Sequence, residues 1–242
     1  MKIFVISLKR SPERRDNIKR QFDTLGLEFE FFDAIDGRSD PSNALFSNYN
    51  YAKRLWLTSG RMPSKGELGC YASHYLLWKA CVELNESILV IEDDAALNDS
   101  LASFLSMIEE KVQVYGFLRL EPETDKCQLV TQEDNGMYQI AFMTNNFGGT
   151  RSYAIAPTAA SKLLLGSKRW CMPVDNYIGS LYIHHMPSYL FKPFVVENPE
   201  TFGTTIQLGE EAKAKWYRKI IRETYSLYRK FAMFYHNNKV KK

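Results

Sequence analysis

The chain has no apolar run approaching the roughly 18–20 residues that a membrane-spanning helix requires, so no segment is expected to cross a bilayer. Its opening, MKIFVISLKRSPERR, holds only four apolar side chains in a row before charge returns. That core is too short for a secretory signal, and export is not expected. Cysteine is scarce: Cys70, Cys81, Cys127 and Cys171 form no C-x-x-C pair and no zinc-like cluster. They read as small buried hydrophobes in a reducing cytosol. Internal repeats and low-complexity segments are missing, so a repeat architecture is not indicated. The body also lacks basic surplus. From Glu210 onward ten Lys/Arg face three Glu, a net of +7, and the remainder carries a net of −4. A nucleic-acid-binding fold more often places its positive charge on the folded body, so no nucleic-acid partner is expected.

What is present suffices for a real core. At 242 residues and 45% hydrophobic composition, the chain can form one large domain, or one domain with a tail. Lys2–Ser7 is a short β-rich run. Ser11-Pro12 supplies an N-cap and a first-turn proline, Ile18, Phe22 and Leu25 follow at helical spacing, and Gly26 closes the helix. Glu28–Phe32 reads as the next strand. This strand–helix–strand opening predicts an α/β sheet with parallel pairing. Residues 38–65 are polar and irregular and read as an excursion or lid-like loop. A helix is predicted over 66–85, a strand over Ile88–Ile91 and a helix over Ser100–Val112. Further strands are predicted at 115–120, 138–142 and 152–156, and a short helix at 158–165.

The segment 87-SILVIEDDAAL-97 concentrates the chemistry. Four apolar residues run directly into Glu92, Asp93 and Asp94, and buried carboxylates without partners are costly. In an extended strand, residues two apart share a side, so Glu92 and Asp94 can face one site while Asp93 faces the other way. Two oxygen-rich ligands at the carboxyl end of a sheet strand suit Mg²⁺ or Mn²⁺. The alternative is a solvated strand-to-helix turn. An acidic cluster after a strand also occurs in receiver domains, but those place it near the chain start, and here two strands precede it.

The chain resembles glycosyltransferase family 25, the group containing bacterial lipooligosaccharide galactosyltransferases. The resemblance rests on 5-VISLKRSPERR-15, 33-DAIDG-37, 66-GELGCYASHYLLW-78, 89-LVIEDDA-95, 148-GGTRSYAIAPTAASKLL-164 and 173-PVD-175, in family order over about residues 1–205. It implies a GT-A-type, Rossmann-like nucleotide-sugar fold over residues 1–208, and transfer from a UDP-sugar with inversion at the anomeric carbon. It assigns Glu92-Asp93-Asp94 to the family's D-x-D-like element, with Asp94 as direct ligand of Mn²⁺ or Mg²⁺, Glu92 sharing the metal or orienting its waters, and Asp93 on the sugar or ribose. Inversion needs a base opposite the leaving group, and Asp175 in the late P-x-D element is the candidate; an ordinary helix-capping aspartate is the other reading. His74 reads as a hydrogen-bonded helix residue, and His184 and His185 as exposed or packing residues. Leu8 and Arg10 are expected near the uracil, Asp36 and Gly37 in the nucleoside pocket, Arg14 or Arg15 at phosphate, and Gly149 and Thr150 beside sugar or acceptor. Glu197, in the segment 195–207, is the candidate for a third metal ligand.

The tail, residues 209–242, is expected to be one long helix with a disordered basic end. Tyr217, Ile220, Ile221, Tyr228, Phe231 and Tyr235 form an apolar stripe flanked by Lys213, Lys215, Arg218, Lys219, Arg222, Arg229 and Lys230. Either that stripe packs on the domain, or residues 213–235 meet an anionic membrane. The implied protein is a cytoplasmic galactosyltransferase, peripheral on the inner face of the membrane, that extends lipooligosaccharide from UDP-galactose. The same fold using UDP-glucose or UDP-N-acetylhexosamine, or a non-catalytic nucleotide-sugar-binding scaffold, are the alternatives.

Overall fold

The computed structural model describes residues 1–124, 127–197 and 216–241. The chain opens as β1 (Lys2–Ser7), α1 (Pro12–Leu25) and β2 (Glu30–Asp33). Helical turns at Ala44–Asn48, α2 (Tyr51–Lys53) and Arg54–Thr58 precede α3 (Lys65–Leu84), β3 (Ile88–Glu92), β4 (Ala96–Leu97) and α4 (Ser100–Tyr115). Next come β5 (Phe117–Arg119), β6 (Leu129–Asp134), β7 (Gln139–Met143), β8 (Ser152–Ile155) and α5 (Pro157–Gly166). The chain ends with α6 (Val174–Ile178), α7 (Leu181–His184), β9 (Tyr189–Lys192), β10 (Val196–Glu197) and α8 (Trp216–Val240).

Eight strands form one mixed sheet in the order β2-β1-β3-β8-β5-β9-β7-β6. The N-terminal unit is Rossmann-like, as expected: β1 pairs in parallel with both β2 and β3. β8 then runs antiparallel between β3 and β5. Helices cover both faces, which explains the unbroken apolar run of β3. Ile88 and Val90 pack with Leu77 of α3 and Leu163 of α5. Leu89 and Ile91 pack on the other face with Ile18 and Phe22 of α1 and Ile108 of α4. All four are fully buried, each worth about 1.5–3 kcal/mol relative to exposure.

Several local expectations need correction. Ser11 occupies the N-cap position of α1 without a side-chain hydrogen bond to the helix, whereas Gly26 closes it in the left-handed conformation as expected. The cap that forms is Ser64, whose hydroxyl accepts from the Glu67 amide to start α3. β6 and β9 were not read from the sequence. Residues 38–65 are anchored: Arg54 and Glu67 form a buried ion pair at 2.6 Å, and Tyr49 donates to Glu67 at 2.8 Å. Asn50 N–H bonds the Trp170 carbonyl at 2.7 Å, and Thr58 Oγ1 that of Cys171 at 2.7 Å. The helix of the tail runs to Val240 with no break before its basic end. The expected boundary at 208/209 and the flanking Lys213 and Lys215 lie outside the described residues.

Candidate active site

The carboxyl ends of β1, β2 and β3 open onto one cleft, the place where α/β sheets generally bind ligands. The cleft encloses about 760 Å³, counting its open mouth. Leu8, Arg10, Asp36, Gly37, Glu92, Asp93 and Asp94 all line it, whereas Gly149, Thr150 and Asp175 are not among its lining residues. Arg14, Ser7, Cys70 and His74 join them.

The carboxylate triplet is arranged differently from an extended strand. Glu92 ends β3, and Asp93 and Asp94 form a tight turn closed by the Ala95 amide donating to the Glu92 carbonyl at 3.1 Å. Asp93 therefore does not face away from the cleft. It receives Ser7 Oγ at 2.6 Å and Arg14 Nη1 at 3.3 Å, and is 8% exposed. Asp94 pairs with Arg151 Nε at 3.2 Å. Glu92 Oε1 accepts from Thr150 Oγ1 at 2.7 Å and lies 3.4 Å from His74 Nε2. Each carboxylate thus has its own counterpart from the protein, which offsets much of the repulsion. Arg151 is held in turn by Glu121 at 3.1 Å, and the buried Arg119 lies 4.0 Å from the same carboxylate.

Burial raises the pKa of Asp93 and Asp94 above the usual carboxylate range, and the charge of Glu92 adds to the shift in both. For Glu92, burial also pushes upward, but the hydrogen bond and proximity of His74, with Thr150 and Arg151, bring it below its ordinary value. Asp175 sits in the first turn of α6, behind Pro173. It is not among the residues lining the cleft, yet it lies close enough to sense both Glu92 and His74. Burial, reinforced by Glu92, raises its pKa. That is the shift a carboxylate base needs.

Two glycines have packing reasons of their own. A Cβ on Gly37 would stand 2.1 Å from the Lys65 carbonyl, so Gly37 lets the loop after β2 close on the start of α3. A Cβ on Gly149 would meet the Arg119 guanidinium at 2.3 Å, and its smallness serves that packing. Asp36 accepts from Arg10 and from the Arg38 amide. Arg15 pairs with Asp33 instead of reaching the cleft. Glu197 is exposed and pairs with Ala96 across the β4–β10 ribbon.

The residues fit a hard divalent cation. Glu92, Asp93, Asp94 and Glu121 outnumber Arg14, Arg119 and Arg151, so the cluster is net negative, and its donors are carboxylate oxygens. Cys70 Sγ, a His74 ring nitrogen and a Glu92 oxygen also lie within 4.8 Å of one another. That softer set is a poor cage, because burial keeps the Cys70 thiol protonated.

Residues 1–178 match the sequence model of glycosyltransferase family 25 (LPS biosynthesis protein). The chain belongs to this family. A glycosyltransferase 25 family member of Aedes aegypti is 31% identical over 76% of this chain and 31% of its own length. A putative glycosyltransferase of Haemophilus influenzae is 27% identical over 86% of this chain and 76% of its own. The inactive glycosyltransferase 25 family member 3 of Homo sapiens is 27% identical over 76% and 32%. The chain spans about a third of the length of the insect and human relatives. Within glycosyltransferase family 25, this chain's site adds residues not singled out from the sequence: Ser7 in the cleft wall, and Arg151, Glu121 and Arg119 linked to Asp94 behind it. The available signal was charge parity. Three adjacent carboxylates at a buried strand end require cations, and Arg151 stands directly before the strand that pairs with β3.

Proposed function

We propose that this chain is an inverting, metal-dependent glycosyltransferase that moves galactose from UDP-galactose to a lipooligosaccharide core sugar. The observation that carries the reading is the single cleft at the ends of β1, β2 and β3, where Asp36 and three individually held carboxylates meet. Leu8, Arg10, Asp36 and Gly37 border the nucleoside part, and Asp93 with Thr150 and Gly149 the sugar side. Glu92 and Asp94 would hold Mn²⁺ or Mg²⁺, which would supply Lewis-acid stabilisation of the charge developing on the departing UDP. Arg14 faces the same region and complements diphosphate charge. Asp175 takes the proton from the acceptor hydroxyl as the new bond forms on the opposite face of the sugar.

On this reading residues 1–208 carry transfer, and residues 209–242 hold the enzyme as a peripheral protein on the cytoplasmic face of the inner membrane. UDP-glucose and UDP-N-acetylhexosamine are the competing donors, since a few hydroxyl contacts decide among them. A non-catalytic nucleotide-sugar-binding role is the second reading, favoured by the relative named inactive.

Thermal shift against each UDP-sugar, with and without Mn²⁺, tests the assignment, because a ligand of the native state raises its stability. We expect a shift that requires both Mn²⁺ and UDP-galactose. Asp94→Asn is expected to remove it with the fold intact. Asp175→Asn is expected to keep it while transfer falls by about 10²-fold or more. Donor binding without transfer in the unaltered chain would select the non-catalytic reading.

A further inference from the structure

The helix α8 meets the body through a mixed side on which Arg218, Arg222, His236 and Asn237 accompany Tyr225. Arg222 Nη1 donates to the Ser59 carbonyl at 3.0 Å, and Asn237 Nδ2 to the Thr144 carbonyl at 2.9 Å. The Arg218 guanidinium lies 5.2 Å from the centre of the Trp56 ring, and the rings of His236 and His185 stand 4.8 Å apart. On the opposite side Ile220, Leu227, Phe231 and Phe234 are 55–67% exposed, with Tyr228 and Tyr235 beside them. Their spacings of seven, four and three residues keep them on one stripe. An amphipathic surface helix ordinarily buries such a stripe, and this one leaves it exposed. The exposed Trp56, its ring 5.9 Å from that of Tyr217, carries the apolar surface from α8 onto the body. Exposed apolar patches of this extent mark interaction sites.

We propose that this outward face of α8 lies in the headgroup region of an anionic phospholipid bilayer. Charge selects the occupant. Between Tyr217 and Lys241, seven Lys/Arg face a single Glu. Lys219, Lys230, Lys239 and Lys241 are exposed alongside the stripe. Two copies of this face would bring like charges together, whereas an anionic surface attracts each cation. Aromatic side chains prefer the membrane interface. No described helix is long and apolar enough to cross a membrane, so α8 lies in the plane. The purpose of the contact rests on the lipid-linked acceptor proposed above. Vesicle binding needs no acceptor and donor binding needs no vesicle, so either reading can fail alone.

The test is co-sedimentation of the full chain with phosphatidylcholine vesicles, with and without phosphatidylglycerol. Binding is expected only with phosphatidylglycerol, and is expected to weaken as salt rises. Lys230→Gln should reduce affinity about fivefold. Joint Phe231→Ser and Phe234→Ser substitution should abolish binding and leave the melting temperature and the UDP-sugar shift unchanged. Absence of binding to the anionic vesicles, or binding insensitive to these substitutions, would overturn the proposal. Light scattering that reports a dimer of the unaltered chain, broken by the phenylalanine substitutions, would also overturn it in favour of a second copy.

Discussion

At the scale of the residue, the fate of one proton organises the site. Trp78 Nε1–H, which can only donate, reaches the Tyr153 oxygen at 3.0 Å, and that oxygen lies 2.9 Å from His74 Nδ1. All three side chains are buried. Tyr153 satisfies both of its roles by accepting from Trp78 and donating to Nδ1. With Nδ1 accepting, the ring proton sits on Nε2, 3.4 Å from a Glu92 oxygen. At 3.4 Å this ring N–H falls short of a well-formed hydrogen bond, and it is placed to steady Glu92 by proximity. Histidine ¹⁵N spectra are expected to show the Nε2–H form at this position, and finding Nδ1–H would reverse the argument. Tyr153→Phe frees the tautomer and is expected to weaken Mn²⁺-dependent donor binding about tenfold or more, as loss of an orienting partner commonly does. The sequence disclosed His74 as a polar residue in an apolar helix. It could not disclose its partner, because Tyr153 lies 79 residues away on another strand.

At the scale of the element, short-range patterns were well expressed in the sequence and long-range pairings were not. β1, α1, α3, β3 and α5 follow from apolar spacing and from residues such as Pro12 and Gly26. β9, with the sequence YLFK, is too short to show a period, and its place is set by pairing with β5 and β7. Gly37 marks where two elements must almost touch. Gly37→Ala would force its new carbon against the Lys65 carbonyl, a backbone atom that cannot swing aside. We expect a loss of about 1–3 kcal/mol, typical of overpacking, read from the denaturant midpoint. Donor affinity should fall with it, because the displaced loop carries Asp36.

At the scale of the whole molecule, acid stability reads the buried titratable groups together. His184 is buried, with Nε2 against the Tyr177 and Ile178 carbonyls and Nδ1 accepting from the Met186 amide. Burial pushes its pKa down to about 4. The unfolded chain takes up this proton near the ordinary value of about 6.5, so the contribution is complete above that pH and is lost as pH falls toward about 4. The size is about 3 kcal/mol. Glu67, Glu121 and Asp175, raised by burial, act in the opposite sense. Unfolding free energy should therefore fall more steeply between pH 6.5 and 4 in the unaltered protein than in His184→Gln. Equal slopes would remove His184 as the cause. The sheet order also has a consequence for synthesis. Asp94 and its partner Arg151 are 57 residues apart, and at about 5–20 residues per second a ribosome delivers the second about 3–11 s after the first. β1, α1, β2 and β3 have emerged by then, while β8, which carries Arg151 into place, has not. Asp94 stays in water through that interval, and its ion pair forms only once Arg151 has been made, whereas Arg14, the partner of Asp93, precedes it in the chain.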